Sequence, residues 1–305
     1  MAREFDRTVA VTPGVDHFCS SSPWTLAAHE AFLSGTELDV RQGQHGFTAL
    51  FRMVDRRRTV LGNTDQMWHF NCPLACSDPP ALIAEVAPWL SSLDRHLVVV
   101  SGLPTPVTDP WRSLFTLGRL EPRAQATRLI VDLDADFDSW LRRRSRKFRA
   151  NLRNADRRAA DAGVVVSGHH DLGPDAMVDL LLEVERHSWK ADHDSGLNSA
   201  DMEHFYRRLL THLAAGQARL WLAYLDGVPV GYVLGAVADI HYRGLQQSFD
   251  AKRPALGIGS VLAQHQLREL AQAGVRTVDL GMHIAYKARW ADRIMTTGTL
   301  LVGLG

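Results

Sequence analysis

Lysine is nearly missing from this 305-residue chain: Lys147, Lys190, Lys252 and Lys287 are the only lysines among 34 basic side chains. Arginine fills the other positions, and it cannot replace an amine that titrates. Cysteine is equally scarce. Cys19, Cys72 and Cys76 are too few for a disulfide framework. No run of about 18 apolar residues occurs, so no membrane span is expected. The opening MAREFDRTVAVTPG lacks the apolar core of an export signal, and a cytoplasmic location is the expectation. Net charge is also absent. Lys+Arg and Asp+Glu each number 34, so no global basic field points to nucleic acid. Repeats at solenoid periods, a G-x-S-x-G elbow and a P-loop are all missing. His69, Cys72 and Cys76 lack a fourth ligand at a zinc spacing, and no metal is expected.

What is present reads as a soluble globular protein, with 46% hydrophobic and 22% charged residues. The length suits one large domain or two ordinary ones. The first half alternates short helical and strand-like runs: a helix over Trp24–Leu33, strands in LDVRQ, GFTALFRMV and TVLG, a helix in PALIAEVAPWLSSL and a strand in HLVVVSGL. Between them lies an aromatic loop, with Trp68 and His69 as candidate substrate contacts.

Local charge is concentrated in one place. Leu141 to Arg158, LRRRSRKFRANLRNADRR, holds nine Arg or Lys against a single Asp. The apolar stripe Leu141, Phe148, Leu152, Ala155, Ala159 repeats at helical spacing. This predicts one long amphipathic helix, residues 137–162, begun by an aspartate cap from Asp134, Asp136 or Asp138 and ended by Gly163. Its arginines suit phosphate, or simply form a solvated face.

Beyond it comes a strand, VVVSG, and a helix from Pro174 to about Lys190. A second helix then leads to a meander of three strands, ARLWLAYL, VPVGYVLGAV and IHYRGLQQSF. The turn Gly257-Ile258-Gly259-Ser260 joins the last of these to a helix. Glycines there permit either a tight connection or a backbone cradle for an anion at the helix N-terminus. The missing third glycine and the meander before it exclude a Rossmann fingerprint.

The pieces SRKFRANLR, HSWK, FYRRLL…GQARLWLAYLDGVPVGYVLG, SFDAKRPALGIGSVL and VDLGMHIAYKARW resemble, in order and spacing, the GNAT-like acyltransferase domain of FemAB-related proteins over roughly 170 residues. The resemblance implies an α/β fold of mixed sheets. It further implies two tandem GNAT-like domains, residues 1–130 and 131–305, joined by the long basic helix, with an active site between them. The donors in that family are acyl-CoA and aminoacyl-tRNA. Both present an activated carbonyl to an amine, and the protein must position the amine, steady the oxyanion and protonate the leaving group.

Carried over to this chain, Lys287 is a candidate oxyanion stabiliser, Tyr286 a donor to the leaving group, His283 a general base and Glu185 a further catalytic group. Arg253, Gly257, Ile258, Gly259, Ser260 and Arg149 are candidates for the donor's phosphates; Trp189 and Lys190 are candidates for the acceptor. Where the GNAT pattern R/Q-x-x-G-x-G/A opens with Arg or Gln, this chain has Pro254, with Arg253 one place earlier. The expected activity is acyl transfer, acetyl first, from acyl-CoA to a primary amine of a small molecule. The alternatives are aminoacyl transfer from tRNA held by the basic helix, making an amide on a cell-wall precursor or metabolite, and a non-catalytic binding protein on the same fold.

Overall fold

The computed structural model describes residues 1–55, 58–65, 67–92, 96–117, 119–133, 136–188, 190 and 196–303. They fall into two compact units: Met1–Thr127 with Thr296–Gly305, and Arg128–Met295. The division thus falls at 127/128 instead of the expected 130/131. The last ten residues lie with the first unit, although the sequence places them after the second.

The first unit contains α1 (Ala2–Val9), α2 (Ser22–Phe32), β1 (Glu37–Gln42), β2 (Phe47–Asp55), β3 (Arg58–Gly62), β4 (Leu74–Ala75), α3 (Pro79–Ser91), β5 (His96–Pro104) and most of β6 (Arg119–Asp132). Its sheet runs β1-β2-β3-β5 and is completed by residues 297–303 of the last strand, with β4 paired to β2. All pairs are antiparallel except β3 with β5. Asp78 caps α3, its carboxylate accepting the Ala81 N–H.

The second unit begins in the end of β6 and continues through α4 (Phe137–Arg142), α5 (Arg146–Asp161), β7 (Val165–Gly168), α6 (Pro174–Glu185), α7 (Ala200–His212), β8 (Ala218–Leu225), β9 (Val228–Ala238), β10 (His241–Phe249), α8 (Ile258–Gln272), β11 (Thr277–Met282) and α9 (Ala285–Ala288), to the start of β12 (Arg293–Gly303). Its sheet order is β6-β11-β10-β9-β8-β7, antiparallel throughout except β10 with β11. The meander is built as its sequence suggests. Asp226 and Gly227 both adopt positive φ, 53° and 77°, which fits the twist of a two-residue hairpin turn between β8 and β9. Trp140, Trp221, Leu262, Leu267 and Val278 are buried together in the core between sheet and helices. Trp140 and Trp290 stack with planes 11° apart.

The basic segment departs from expectation. It is not one helix but two, and both belong to the second unit, so no long basic helix joins the units. Asp136 caps α4 by accepting the Ser139 N–H. Ser145 then takes extended dihedrals, and its hydroxyl accepts the Phe148 N–H, which starts α5 afresh. The apolar stripe hid the break because Leu141 and Phe148 are seven residues apart, two full turns, and keep phase across it. No helix among the described residues is long and apolar enough to cross a membrane.

Candidate active site

Strands β10 and β11 run side by side for only three pairs, His241–Thr277, Tyr242–Val278 and Arg243–Asp279. Beyond them the two strands part. The pairing of β10 with β9 shifts register between Gly244 and Gln246, and that of β11 with β6 shifts between Asp279 and Met282. Gly281 supports the bend with φ of 76°, and its N–H donates to Asp279 at 2.7 Å. The same carboxylate receives Arg128 and Arg243, at 2.5 and 2.8 Å, and both guanidiniums are buried. That carboxylate thus bridges two buried positive charges at the fork.

Lys287 feels the charge there. Its ammonium donates to the Leu280 carbonyl at 2.6 Å. Burial first, and the Arg243 guanidinium second, push the amine down to about 8, against the opposing pull of Asp279. Tyr286, beside it, is 45% exposed, yet burial on its inner side still raises the phenol, which stays protonated at neutral pH. Both residues line a cavity of about 660 Å³ opened by the fork.

The far end of the same cavity is the turn before α8, represented by Gly257, Ile258, Gly259 and Ser260. Gly257 has φ of 68°, and a Cβ there would stand 3.1 Å from that of Ala155. Gly259 comes so close to the Phe249 ring that a Cβ would meet it at 3.1 Å. The turn is held from both sides: Gln247 donates to the Gly259 carbonyl at 2.9 Å, and Arg158 to the Ala255 carbonyl at 2.6 Å. The first turn of α8 has N–H groups with no partner further back in the helix, which favours an anion there. Pro254 is on the cavity wall. Arg253 is instead tied to Asp250 at 3.1 Å.

A third group closes the wall between these ends. Glu185, fully buried at the end of α6, accepts from Tyr232 at 2.5 Å, Ser188 at 2.7 Å, Lys190 at 3.2 Å and Ser248 at 3.3 Å. Lys190 lines the cavity and also donates to Gln246 at 3.0 Å and to the Gln247 carbonyl at 3.1 Å. Burial lowers its pKa and the Glu185 carboxylate opposes the fall. Glu185 therefore lies beneath Lys190 and not on the cavity surface. Its geometry is that of a support for Lys190.

Of the remaining sequence candidates, His283 is exposed between β11 and α9. Arg149 donates to the carbonyls of Arg142 and Arg144 and holds the α4–α5 corner. Trp68 and His69 belong to the first unit, whereas the cavity walls come from the second. The Trp68 ring packs on Trp24 and Phe32, and His69 takes φ of 57° beside the Asp65 carboxylate that gathers the N–H groups of Trp68, Phe70 and Asn71. Trp189 lies outside the described residues. Sequence reasoning passed over Gln246, Gln247, Arg243 and Arg128. The signal for the first two was an adjacent pair of glutamines, QQ, near the end of β10. Among the described residues no three His, Cys, Asp or Glu side chains gather to hold a metal.

A fork between two parallel strands, an anion turn at a helix start and a lowered lysine together suit transfer of an activated acyl group. Residues 146–288 match the family model of the acetyltransferase (GNAT) domain. That part of the chain, just under half of it, is similar to a GNAT acetyltransferase domain. The fold of the chain extends that likeness over the whole length. FemX aligns over 98% of this chain and 95% of its own, at 13% identity and a TM-score of 0.70. L-PGS from Bacillus licheniformis aligns over 99% and 91%, at 13% identity and 0.60. A tandem GNAT protein from the clavulanic acid biosynthesis pathway aligns over 100% and 97%, at 16% identity and 0.50. At these identities the likeness of this chain to them is one of fold. No curated protein matches its sequence significantly.

Proposed function

We propose that this protein moves an acyl group, acetyl first, from acyl-CoA to the primary amine of a small molecule. One observation carries the reading: a single cavity connects the anion turn at Gly257–Ser260 to Lys287 and Tyr286 through the fork of β10 and β11. A donor with its diphosphate on the turn and its thioester at the fork fills that path.

The chemistry follows from the groups present. The neutral amine attacks the thioester carbon, a C–N bond forms and the carbonyl oxygen takes up the electron pair. The charged Lys287 faces that oxyanion. Collapse breaks the C–S bond, the thiolate takes a proton from Tyr286, and the amine's surplus proton restores the phenol through solvent at the exposed edge of the ring. Stabilising charge placed in advance is commonly the largest part of such catalysis.

Calorimetric titration with acetyl-CoA and with CoA tests the reading. Micromolar binding that is lost in Gly259→Leu is expected; no binding of either would overturn it. A second reading keeps the fork chemistry and takes the acyl group from aminoacyl-tRNA. Pro254 in place of the usual Arg or Gln at the turn, and the fold shared with FemX, favour it. Charged tRNA titrated over a salt series distinguishes the two donors, because phosphate contacts give a steep salt slope.

A further inference from the structure

A second cavity, of about 400 Å³, opens in the same unit where α4 gives way to α5. Arg143, Arg144, Lys147 and Arg289 line it with Ser145, Phe148 and Asn151, and none of these described residues is a carboxylate. The two first arginines are fixed in place. Arg143 donates to the Asp132 carbonyl at 2.7 Å. Arg144 reaches the Ala291 carbonyl and Asp292, with its guanidinium over the Trp140 ring. Lys147 and Arg289 have no ion-pair partner among the described residues. Arg143, Arg144, Lys147 and Arg289 give the described lining a basic character, which favours an oxyanion with several acceptor oxygens.

This pocket is too far from the donor turn to serve the same phosphates. The C-terminal part of α5 lies on that turn, through Ala155 and Arg158, while Lys147 is at the other end of the helix. At 1.5 Å per residue, the eleven residues from Lys147 to Arg158 span about 16 Å. The 3′-phosphate of coenzyme A is only one ribose from its diphosphate, well short of that. The pocket does adjoin the reacting end. Arg289 lines both cavities and follows Lys287 by two residues.

We propose that this pocket binds a phosphate carried by the amine acceptor, so that the substrate class is a phosphorylated amine. This rests on the acyl-transfer reading above for the role of the neighbouring cavity. The test is calorimetry with inorganic phosphate, with and without saturating acetyl-CoA, on the wild type, Lys147→Glu and the control Arg157→Glu on the same helix. Expected are millimolar phosphate binding that acetyl-CoA leaves in place, a loss of at least tenfold in Lys147→Glu, and little change in Arg157→Glu. Acetyl-CoA binding should survive Lys147→Glu, whose side chain lines only the second cavity.

Displacement of phosphate by acetyl-CoA would give the pocket to the donor and overturn the inference. So would equal weakening in both variants, which marks diffuse attraction, or absence of phosphate binding. Salt-steep capture of tRNA, abolished by Lys147→Glu without any response to phosphate, would make the pocket part of a nucleic-acid track. Failure of acetyl-CoA to bind, with phosphate binding intact, would count against the donor assignment and not against this site.

Discussion

The lowered amine of Lys287 gives the reaction a pH limit that can be worked out in advance. With its pKa near about 8, about nine-tenths of Lys287 is charged at pH 7 and about one-tenth at pH 9. If the charged form steadies the oxyanion, kcat falls through this interval, while deprotonation of the acceptor amine supplies the rising limb below it. Lys287→Arg keeps a charge that does not titrate, so its alkaline fall should disappear from the range near pH 8. Lys287→Ala should lower kcat by about 10²–10³-fold, the usual worth of one oxyanion donor, and leave acetyl-CoA affinity within a few-fold. Stability does not imitate this profile. The folded-state pKa lies below the unfolded value near 10.5, so between about 8 and 10.5 the unfolded chain binds more protons and folding becomes more favourable as pH rises. Activity and the Lys287 contribution to stability therefore move in opposite directions. Steady-state kinetics from pH 6 to 10, with urea unfolding at each end, measures both. An alkaline fall retained in Lys287→Arg, or an unchanged kcat in Lys287→Ala, would refute the assignment; a rate that rises through pH 8 because of Lys287 would make it a base instead.

Three further substitutions probe the supports of the site. Gly257→Ala should cost about 1–2 kcal/mol, since φ of 68° puts an L-residue in the left-handed region and its Cβ meets Ala155; a lower urea midpoint with unchanged slope is the readout. Glu185→Gln leaves the Lys190 ammonium buried without a counter-charge, and a loss of about 3–5 kcal/mol is expected; the double variant with Lys190→Met should recover much of it, and no recovery would show that the pair does not act as a unit. Ser145→Ala removes the cap of α5, with an expected loss of about 1 kcal/mol by chemical denaturation and a weakened second cavity by phosphate titration.

The parts of the site that come from local rules were legible. The β8–β9 hairpin follows from Asp226-Gly227, and the α8 start from glycines between a strand and an apolar helix. The fork was not legible, because it depends on register shifts between strands remote in sequence. Nothing in TRLIVDL marks Arg128 as the partner of Asp279, 151 positions later. The pairing of Glu185 with Lys190 was not legible for a different reason. Helical spacing placed Glu185 on a face with Trp189, but α6 ends at Glu185, and past a helix end the 3.6-residue period no longer says which side chains meet. Lys190 turns back onto Glu185 from non-helical backbone.

The arginine-rich stretch and the scarcity of lysine turn out to be two sides of one arrangement. Most arginines of Leu141–Arg158 that have partners donate to backbone carbonyls or short polar side chains: Arg142 to Ser139, Arg143 to Asp132, Arg144 to Ala291, Arg149 to Arg142 and Arg144, Arg158 to Ala255. A guanidinium has five donors in a rigid fork and can satisfy carbonyls left open at helix ends and corners. An ammonium cannot span two such sites with fixed geometry. The high charge of this stretch is therefore in large part a means of fastening α4 and α5 to each other and to the donor turn, and counting its charges overstates its appetite for phosphate. Lysine is left for positions where a compact amine matters. Lys190 and Lys287 line the first cavity and Lys147 the second; only Lys252 lines neither. In an arginine-dominated chain, the lysines mark the first cavity, and the dense basic run marks the second through Arg143, Arg144 and Lys147.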